Sequence, residues 1–261
     1  MGLKAITSIL AAGILVACAS PQKTDAHASN QWVRIFDGES LSGWTPKING
    51  QHAGEDSAQI FRVENGELRV TYEDVATFDN TFGHLFFEEE LSDYRLRFEY
   101  RFFEKQKSGG PKWAFMNSGV MFHAQAPENM RKDQAFPISV EAQILGTSEA
   151  TPERTTANIC TPGTHIVLDG EITKEHCIPS QTRAAPAGTW VNFELEVRGS
   201  KLARLFVDGS EAFVLTDPEF DVTDPDVARL QLEGPVGSGY FALQAESHPV
   251  AFRKIELMRL D

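Results

Sequence analysis

The sequence predicts an all-β sandwich made of many short antiparallel strands. Apolar and polar residues alternate with period two in several segments, and no segment shows a sustained helical repeat with capping residues. Each half-apolar strand needs a second layer to cover its apolar face, so we expect two packed sheets. After a short polar N-terminal stretch, about 230 residues remain, which is enough for a single well-buried domain.

The alternating segments are separated by turn residues. In the segment 61–70, FRVENGELRV, the dipeptide Asn65-Gly66 lies between two short strands and predicts a tight hairpin. Asp208-Gly209 predicts a second turn of this kind. Further strands are predicted at 94–102, 190–199, 201–213, 239–247 and 250–260.

Two of the alternating segments carry an unusual number of polar side chains on one face. In NSGVMFHAQ, residues 117–125, and SVEAQILG, residues 139–146, the polar set comprises Asn117, His123, Gln125, Ser139, Glu141 and Gln143. The opposite faces are apolar, as expected of strands with one side in a core. We interpret the polar faces as the floor of a ligand-binding cleft.

The N-terminus predicts export. Residues 1–17 contain one charged residue, Lys4, and an apolar run from Ile9 to Ala17 that is too short to span a bilayer, as in a secretory signal. The segment LVAC, residues 15–18, resembles the lipobox of bacterial lipoproteins, which implies lipidation of Cys18. Residues 18–31 are expected to form a polar tether and 32–261 the folded domain. The alternatives are an ordinary secreted protein or a buried N-terminal strand.

The residue after the cysteine is alanine, Ala19, and not aspartate. In a cell with two membranes this favours an outer-membrane lipoprotein that faces the periplasm. The formal net charge of −13 argues against binding nucleic acid or anionic lipid headgroups.

With Cys18 set aside, Cys160 and Cys177 form an even pair in an oxidising compartment. A disulfide between them is therefore expected. The alternative is a zinc site that also uses His165 or His176, but the spacing matches no common zinc motif.

Several segments resemble, in order, the signatures of one bacterial family, the 3-keto-disaccharide hydrolases. They are WVRIFDGESLSGW (32–44), FGHLFFEEELSDYRLRFEYRF (82–102), NSGVMFHAQ, ISVEAQILG (138–146) and GSGYFALQAESHPVAFRKIELMRL (237–260). The resemblance covers nearly the whole chain after the tether. It implies a concanavalin-like jelly-roll β-sandwich and the cleavage of glycosides already oxidised at C3 of the sugar.

The chemistry implied by this resemblance needs three roles. A ketone at C3 acidifies the hydrogen on C2, so a base removes it, an enediolate forms, and the group on C1 leaves by elimination. Addition of water then completes a net hydrolysis. The site must therefore supply a base near C2, an electrophile for the C3 oxygen and an acid for the leaving oxygen.

The polar residues are candidates for these roles. We expect Glu141 to act as base and His123 as acid, while Asn117 and Gln143 hold hydroxyl groups or the enediolate. Other candidates for substrate contact are Trp113, as an aromatic platform, Arg154 and His165, from a lid loop, and Gln244; His84 and Arg101 are weaker candidates for the same cleft. For each of these residues the alternative is an ordinary structural role in a strand, core or surface loop.

A divalent metal ion held by Glu141 and His123 is a further hypothesis, since it would polarise the ketone as a Lewis acid. The sequence has no compact metal-ligand motif and no dinucleotide fingerprint. Another enzyme, an upstream sugar 3-dehydrogenase, must therefore supply the oxidised substrate. Two functions of other classes remain open: a noncatalytic carbohydrate-binding lipoprotein with a lectin-like sandwich, and a surface-anchored interaction domain.

Overall fold

The computed structural model describes residues 1–2, 30–168 and 170–261. The predicted lipidation site Cys18, with most of the predicted signal peptide (1–17) and tether (18–31), lies outside the described residues. Within those residues, no helix is long and apolar enough to cross a membrane.

Strands make up most of the ordered structure. The first nine are β1 (Val33–Arg34), β2 (Trp44–Ile48), β3 (Phe61–Glu64), β4 (Glu67–Val70), β5 (Gly83–Phe87), β6 (Asp93–Phe102), β7 (Asn117–Ala124), β8 (Val140–Thr147) and β9 (Asn158–Cys160). The following nine are β10 (Thr164–Leu168), β11 (Glu171–Thr173), β12 (Cys177–Ile178), β13 (Ala185–Pro186), β14 (Val191–Arg198), β15 (Leu202–Val207), β16 (Ser210–Phe220), β17 (Tyr240–Ala245) and β18 (Val250–Arg259).

These strands form two sheets, which confirms the all-β sandwich. The ten-stranded sheet has the order β11-β10-β16-β15-β14-β6-β18-β4-β3, and β1 also pairs with β18. The eight-stranded sheet has the order β12-β9-β8-β7-β17-β5-β2, and β13 pairs with β8. All pairings between named strands are antiparallel except the short pair of β13 and β8.

The alternation read from the sequence determines which faces meet. Along β6 every second residue is buried, from Tyr94 to Phe102, and β14 repeats the pattern from Val191 to Val197. These side chains pack against the inward residues of the eight-stranded sheet in one continuous core. The two predicted hairpins are present, because Asn65-Gly66 and Asp208-Gly209 adopt the positive φ angles that tight hairpin turns require.

One helix was not predicted. Helix α1, Pro225–Leu230, begins after Asp224, whose carboxylate accepts hydrogen bonds from the backbone N–H groups of Asp226 and Val227. An aspartate followed by proline is a common helix start. The helix is only six residues long, so no apolar repeat had room to indicate it.

The expected disulfide is present between Cys160 and Cys177. The two cysteines are directly opposite each other in the antiparallel pair of β9 and β12, with a Cα–Cα distance of 4.1 Å. The bond closes the excursion that contains β10 and β11.

Candidate active site

A row of polar residues crosses the outer face of the eight-stranded sheet, the face that points away from the core. His84 of β5 lies opposite Gln244 of β17, and Gln143 of β8 lies opposite Asn158 of β9. Between these pairs β7 contributes Gly119, which lies opposite Gln143. We call these five residues the polar row. The row follows from pleating, since each member has a strand neighbour in the core, for example Leu85, Val120 or Leu243.

Gly119 leaves a gap in the polar row, and Glu141 occupies it. A Cβ atom on Gly119 would lie 2.5 Å from Glu141 Oε1 and 2.9 Å from its Cγ. The carboxyl group therefore rests on the bare backbone of β7. The glutamate reaches this position because it faces Met121, the residue two positions from Gly119, across the pair of β7 and β8.

Glu141 is enclosed, with 6% of its surface exposed. Burial raises the pKa of its carboxyl group to about 8, and the Gln244 side-chain amide offsets part of this rise. A carboxyl group with a pKa near neutrality is suited to general acid-base chemistry.

A second buried carboxyl group, Glu246, interacts with the first. Glu246 directly follows the end of β17, two residues after Gln244, and 3% of its surface is exposed. Burial and the charge of Glu141 raise the pKa of Glu246 well above its ordinary value, while the Arg154 guanidinium acts in the opposite direction. We call Glu141 and Glu246 the carboxyl pair. Like charges in a dry site keep one of two such groups protonated.

Arg154 is held close to this pair by backbone carbonyls. Its Nη1 donates to the carbonyl oxygens of Phe115 and Gly146, the latter at 3.2 Å, and its Nη2 donates to that of Trp113 at 3.4 Å. These hydrogen bonds therefore fix the Arg154 guanidinium at the margin of the candidate active site.

His84 is fully buried, and neither ring nitrogen has a hydrogen-bond partner among the described residues. Burial, and secondarily the charge of Lys47, lowers the pKa of His84 to about 3. The imidazole is therefore neutral at physiological pH, and its one N–H group has no partner among the described residues.

Unpaired polar atoms are concentrated at this place. Besides both nitrogens of His84, they are Glu141 Oε1, Glu246 Oε2, Gln244 Oε1 and Asn117 Oδ1, each buried without a partner in the described part of the chain. Buried polar groups are normally hydrogen-bonded, so a cluster of unpaired ones indicates a place for a polar ligand. Asn117 belongs to this cluster because it lies on the same face of β7 as Gly119.

Three aromatic residues, Phe136, Phe82 and Trp113, form a connected group that begins at His84. Phe136 contacts the edge of His84, with 5.8 Å between the ring centroids, and also packs against Phe82 at 5.1 Å. Trp113 is stacked on Phe82 at 5.9 Å with an interplanar angle of 9°. Trp113 is 56% exposed, so the expected platform faces solvent at the margin of the site.

His123 does not join this cluster, contrary to the expectation that it lies beside Glu141. A bulge in β7 is responsible: Tyr240 pairs with Ala124 and Ala242 with Met121, so two residues of β7 lie opposite one of β17. His123 at this bulge has a φ of +49°. Its Nε2 lies 3.0 Å from the carbonyl oxygen of Gly199, in a turn of the other sheet.

The shared metal site of Glu141 and His123 is therefore not formed. Within residues 30–168 and 170–261, no group of three or more His, Cys, Asp or Glu side chains is arranged to hold a metal ion. The weaker candidate Arg101 is also elsewhere, since it contacts Glu67 and the ring of Trp190 on the ten-stranded sheet.

Two further candidates have definite positions. Gln143 lies in the polar row, and its side-chain oxygen accepts a hydrogen bond from Asn158 Nδ2 at 2.9 Å. His165 lines a separate cavity of about 480 Å³, where its Nε2 is 3.5 Å from Asp221 Oδ1.

From the sequence alone, Glu246 has no assigned role and His84 is only a weaker candidate. His84 lies in β5, where the alternation shows its face, whereas Glu246 directly follows the last residue of β17. What the alternation does not show is that β5, β17, β7 and β8 are neighbours in this order. That order brings the four segments together, although they are far apart in sequence.

Comparisons with known proteins support the fold and identify a family. A family model described as a 3-keto-alpha-glucoside-1,2-lyase-like domain matches residues 31–258. No curated protein matches the chain.

Solved structures share the fold at low sequence identity. One is a "putative glycosyl hydrolase" from Parabacteroides distasonis, with 14% identity, a TM-score of 0.52 and coverage of 88% of this chain and 94% of that one. Another is a Bacillus subtilis protein of unknown function with a galectin-like fold, with 10% identity, a TM-score of 0.53 and coverage of 89% and 96%. Both likenesses agree with the jelly-roll sandwich.

Proposed function

The chain belongs to the family of 3-keto-alpha-glucoside-1,2-lyase-like domains, and on this premise we propose that it cleaves glycosides whose sugar carries a ketone at C3. The observation that carries the proposal is the carboxyl pair, enclosed beside a neutral imidazole and surrounded by unpaired polar atoms. An enzyme that removes one proton and delivers another needs such a pair.

Glu141 is the base in this proposal. Its carboxylate takes the hydrogen from C2 of the 3-keto sugar, and the electrons of that C–H bond form the enediolate. The raised pKa of Glu141 makes its carboxylate a stronger base than an ordinary one. Gly119 lets it lie deep in the site, because no side chain at that position occupies the space.

Glu246 is the acid. Its pKa is raised by burial and by the neighbouring charge of Glu141, so it keeps its proton when Glu141 is ionised. As the C1–O bond breaks and C1=C2 forms, the leaving oxygen takes the proton of Glu246. Enzymes commonly use two titratable groups as acid and base when their environments push the two pKa values apart.

His84 supplies the electrophile. Negative charge develops on the C3 oxygen in the enediolate, and a neutral imidazole N–H stabilises it without placing a full charge in the buried site. Asn117 and Gln244 belong to the cluster of unpaired polar atoms and would hold sugar hydroxyls. The exposed ring of Trp113 offers an apolar platform.

Net hydrolysis requires one more step. Water adds across C1=C2 of the unsaturated product, with a proton at C2 and a hydroxyl at C1, which regenerates a 3-keto sugar. The ketone itself comes from a separate sugar 3-dehydrogenase. For a lipoprotein anchored through Cys18 this sequence of reactions would take place at the outer membrane, on the periplasmic side.

The test uses a 3-keto-glucoside with a chromogenic leaving group. Wild-type protein should release the chromophore, and Glu141→Gln should slow release by about 10²-fold or more, the usual contribution of general acid-base catalysis. Glu211→Gln is the matched control, because Glu211 is an exposed glutamate of β16. Binding without release by the wild-type protein would instead support the noncatalytic carbohydrate-binding alternative.

His123→Gln gives a second control. Its imidazole contacts Gly199 and not the carboxyl pair, so the variant should keep most of the wild-type release rate. A loss as large as that of Glu141→Gln would contradict the site described above.

A further inference from the structure

A cavity of about 460 Å³ opens beside Arg154, at the margin of the candidate active site, and the proposed chemistry does not use it. Lys112, Phe115 and Ala150 line the cavity together with Arg154, and no acidic residue lines it. We call it the Arg154 cavity. Its volume is in the range of small-molecule binding sites.

The Arg154 cavity lies on the side of the carboxyl pair where Glu246 is. Gln106, which lines the cavity, donates a hydrogen bond from Nε2 to Ser247 Oγ at 2.8 Å, and Ser247 directly follows Glu246. The charge of Arg154 also acts on Glu246. Because Glu246 protonates the leaving oxygen in the proposed function, the part of the substrate nearest this cavity is the leaving group.

Arg154 has no carboxylate paired with it among the described residues. Its side chain donates hydrogen bonds to three backbone carbonyl oxygens, which carry no full charge. The carboxyl group whose charge acts on Arg154 is that of Glu246, and in the proposed mechanism Glu246 is protonated until the C1–O bond breaks. A half-buried guanidinium without a counter-charge is costly, and an anionic group of a ligand removes that cost.

The free N–H groups of Arg154 fit a carboxylate. Its Nε–H and one N–H of Nη2 donate to no acceptor in residues 30–168 and 170–261. A carboxylate accepts two parallel hydrogen bonds from a guanidinium, and the exposed Lys112 adds a second positive charge. The walls formed by Phe115 and Ala150 are apolar and suit an aromatic ring.

We propose that the Arg154 cavity binds the leaving group of the substrate and that this leaving group is an aromatic acid, whose ring packs on Phe115 and whose carboxylate pairs with Arg154. The inference rests on the proposed function, because it assigns the group that is released. The three backbone carbonyls then have a functional role, since they hold the guanidinium in one orientation before the ligand binds.

The test compares two 3-keto-glucosides on the full chain, one with a 4-carboxyphenyl and one with a 4-carbamoylphenyl leaving group. The amide has nearly the shape of the carboxylate but no charge. The readout is the ratio of the two kcat/KM values, because a variant that folds poorly lowers both values and leaves their ratio unchanged. We expect the wild-type protein to favour the carboxylate about tenfold or more, the usual contribution of a hydrogen bond to a charged group.

Arg154→Met should bring this ratio close to one, and Lys112→Met should lower it about two- to fivefold, as expected of an exposed charge. Arg34→Met and Lys201→Met are matched controls at exposed positions outside the cavity and should keep the wild-type ratio. A wild-type ratio near one, or a ratio that Arg154→Met leaves unchanged, would overturn the inference, while cleavage of both substrates would still uphold the proposed function.

A binding experiment decides the inference if the wild-type protein cleaves neither substrate and the proposed function therefore fails. Calorimetric titration with the two unoxidised glucosides needs no turnover. Tighter binding of the carboxyphenyl glucoside, lost in Arg154→Met and retained in Arg34→Met, would support the cavity as a site for an aromatic acid. Equal binding of the two glucosides, or binding of neither, would refute it.

Discussion

The carboxyl group of Glu141 lies against the backbone of Gly119, in the space that any larger residue would fill. Gly119→Ala should therefore displace Glu141 and lower catalytic activity strongly, while overpacking costs about 1–3 kcal/mol of stability. Chromophore release and chemical denaturation measure the two effects. Gly237→Ala is the control, because a Cβ there meets only ordinary contacts, the nearest at 3.5 Å. Full activity in Gly119→Ala would show that Glu141 does not need this position.

The raised pKa of Glu141 predicts a pH-dependent cost in stability. The folded state keeps the proton up to about pH 8, whereas the unfolded chain releases it near 4.5. The unfolded state therefore binds fewer protons in this window, and stability falls as pH rises from 4.5 to 8.

Relative to wild type, Glu141→Gln should thus gain up to roughly 5 kcal/mol between pH 4.5 and 8, since each pKa unit corresponds to about 1.4 kcal/mol. Urea denaturation of both proteins at several pH values measures the difference. Glu171→Gln, at an exposed position of β11, should show no such trend. A constant difference between wild type and Glu141→Gln would contradict the enclosed carboxyl group.

The carboxyl pair also predicts the pH dependence of catalysis. The base must be ionised, so kcat/KM should rise as pH passes through about 8. Glu246 must be protonated, so activity should fall at higher pH. In Glu246→Gln the descending limb should be lost and the remaining activity low. A wild-type profile that is flat from pH 6 to 10 would exclude this assignment of roles.

Trp113 is expected to affect binding more than chemistry. It is exposed and stacked on Phe82, and such aromatic contacts contribute about 0.5–1.5 kcal/mol. Trp113→Ala should raise KM several-fold with little change in kcat or in stability, and Trp113→Phe should restore most of the affinity. A large fall in kcat with unchanged KM would place the indole in the chemical step instead.

The disulfide should contribute to stability. Cys160 and Cys177 are 17 residues apart, and closing such a loop typically stabilises a fold by about 2–4 kcal/mol. The double variant Cys160→Ser, Cys177→Ser should lose this amount in urea denaturation. A reducing agent should lower the stability of wild type toward that of the variant and leave the variant unchanged.

The sequence predicted which side of each strand faces the core. Gln143 and Glu141 were assigned to a polar face because Val140, Ala142 and Ile144 alternate with them, and the structure places them so. The same reasoning failed at His123. It assumed unbroken alternation along β7, whereas the bulge opposite β17 turns the imidazole toward Gly199. No residue pattern in the segment indicates the bulge.

The sequence also could not show which residue lies beside Glu141. Glu246 follows it by more than a hundred residues, and only the position of β17 between β7 and β5 brings the two carboxyl groups into one enclosed place. Their raised pKa values come from burial and, for Glu246, also from the charge of Glu141, and local periodicity describes neither effect.

The amino-acid sequence alone determined the sandwich, its hairpins, the cysteine pair and the face on which most polar strand residues lie, because pleating and turn formation depend on neighbours along the chain. Tertiary structure decided which of these residues act together. Strand order, one bulge and the burial of charge are set by contacts between distant segments, and those contacts make Glu141, Glu246 and His84 one site.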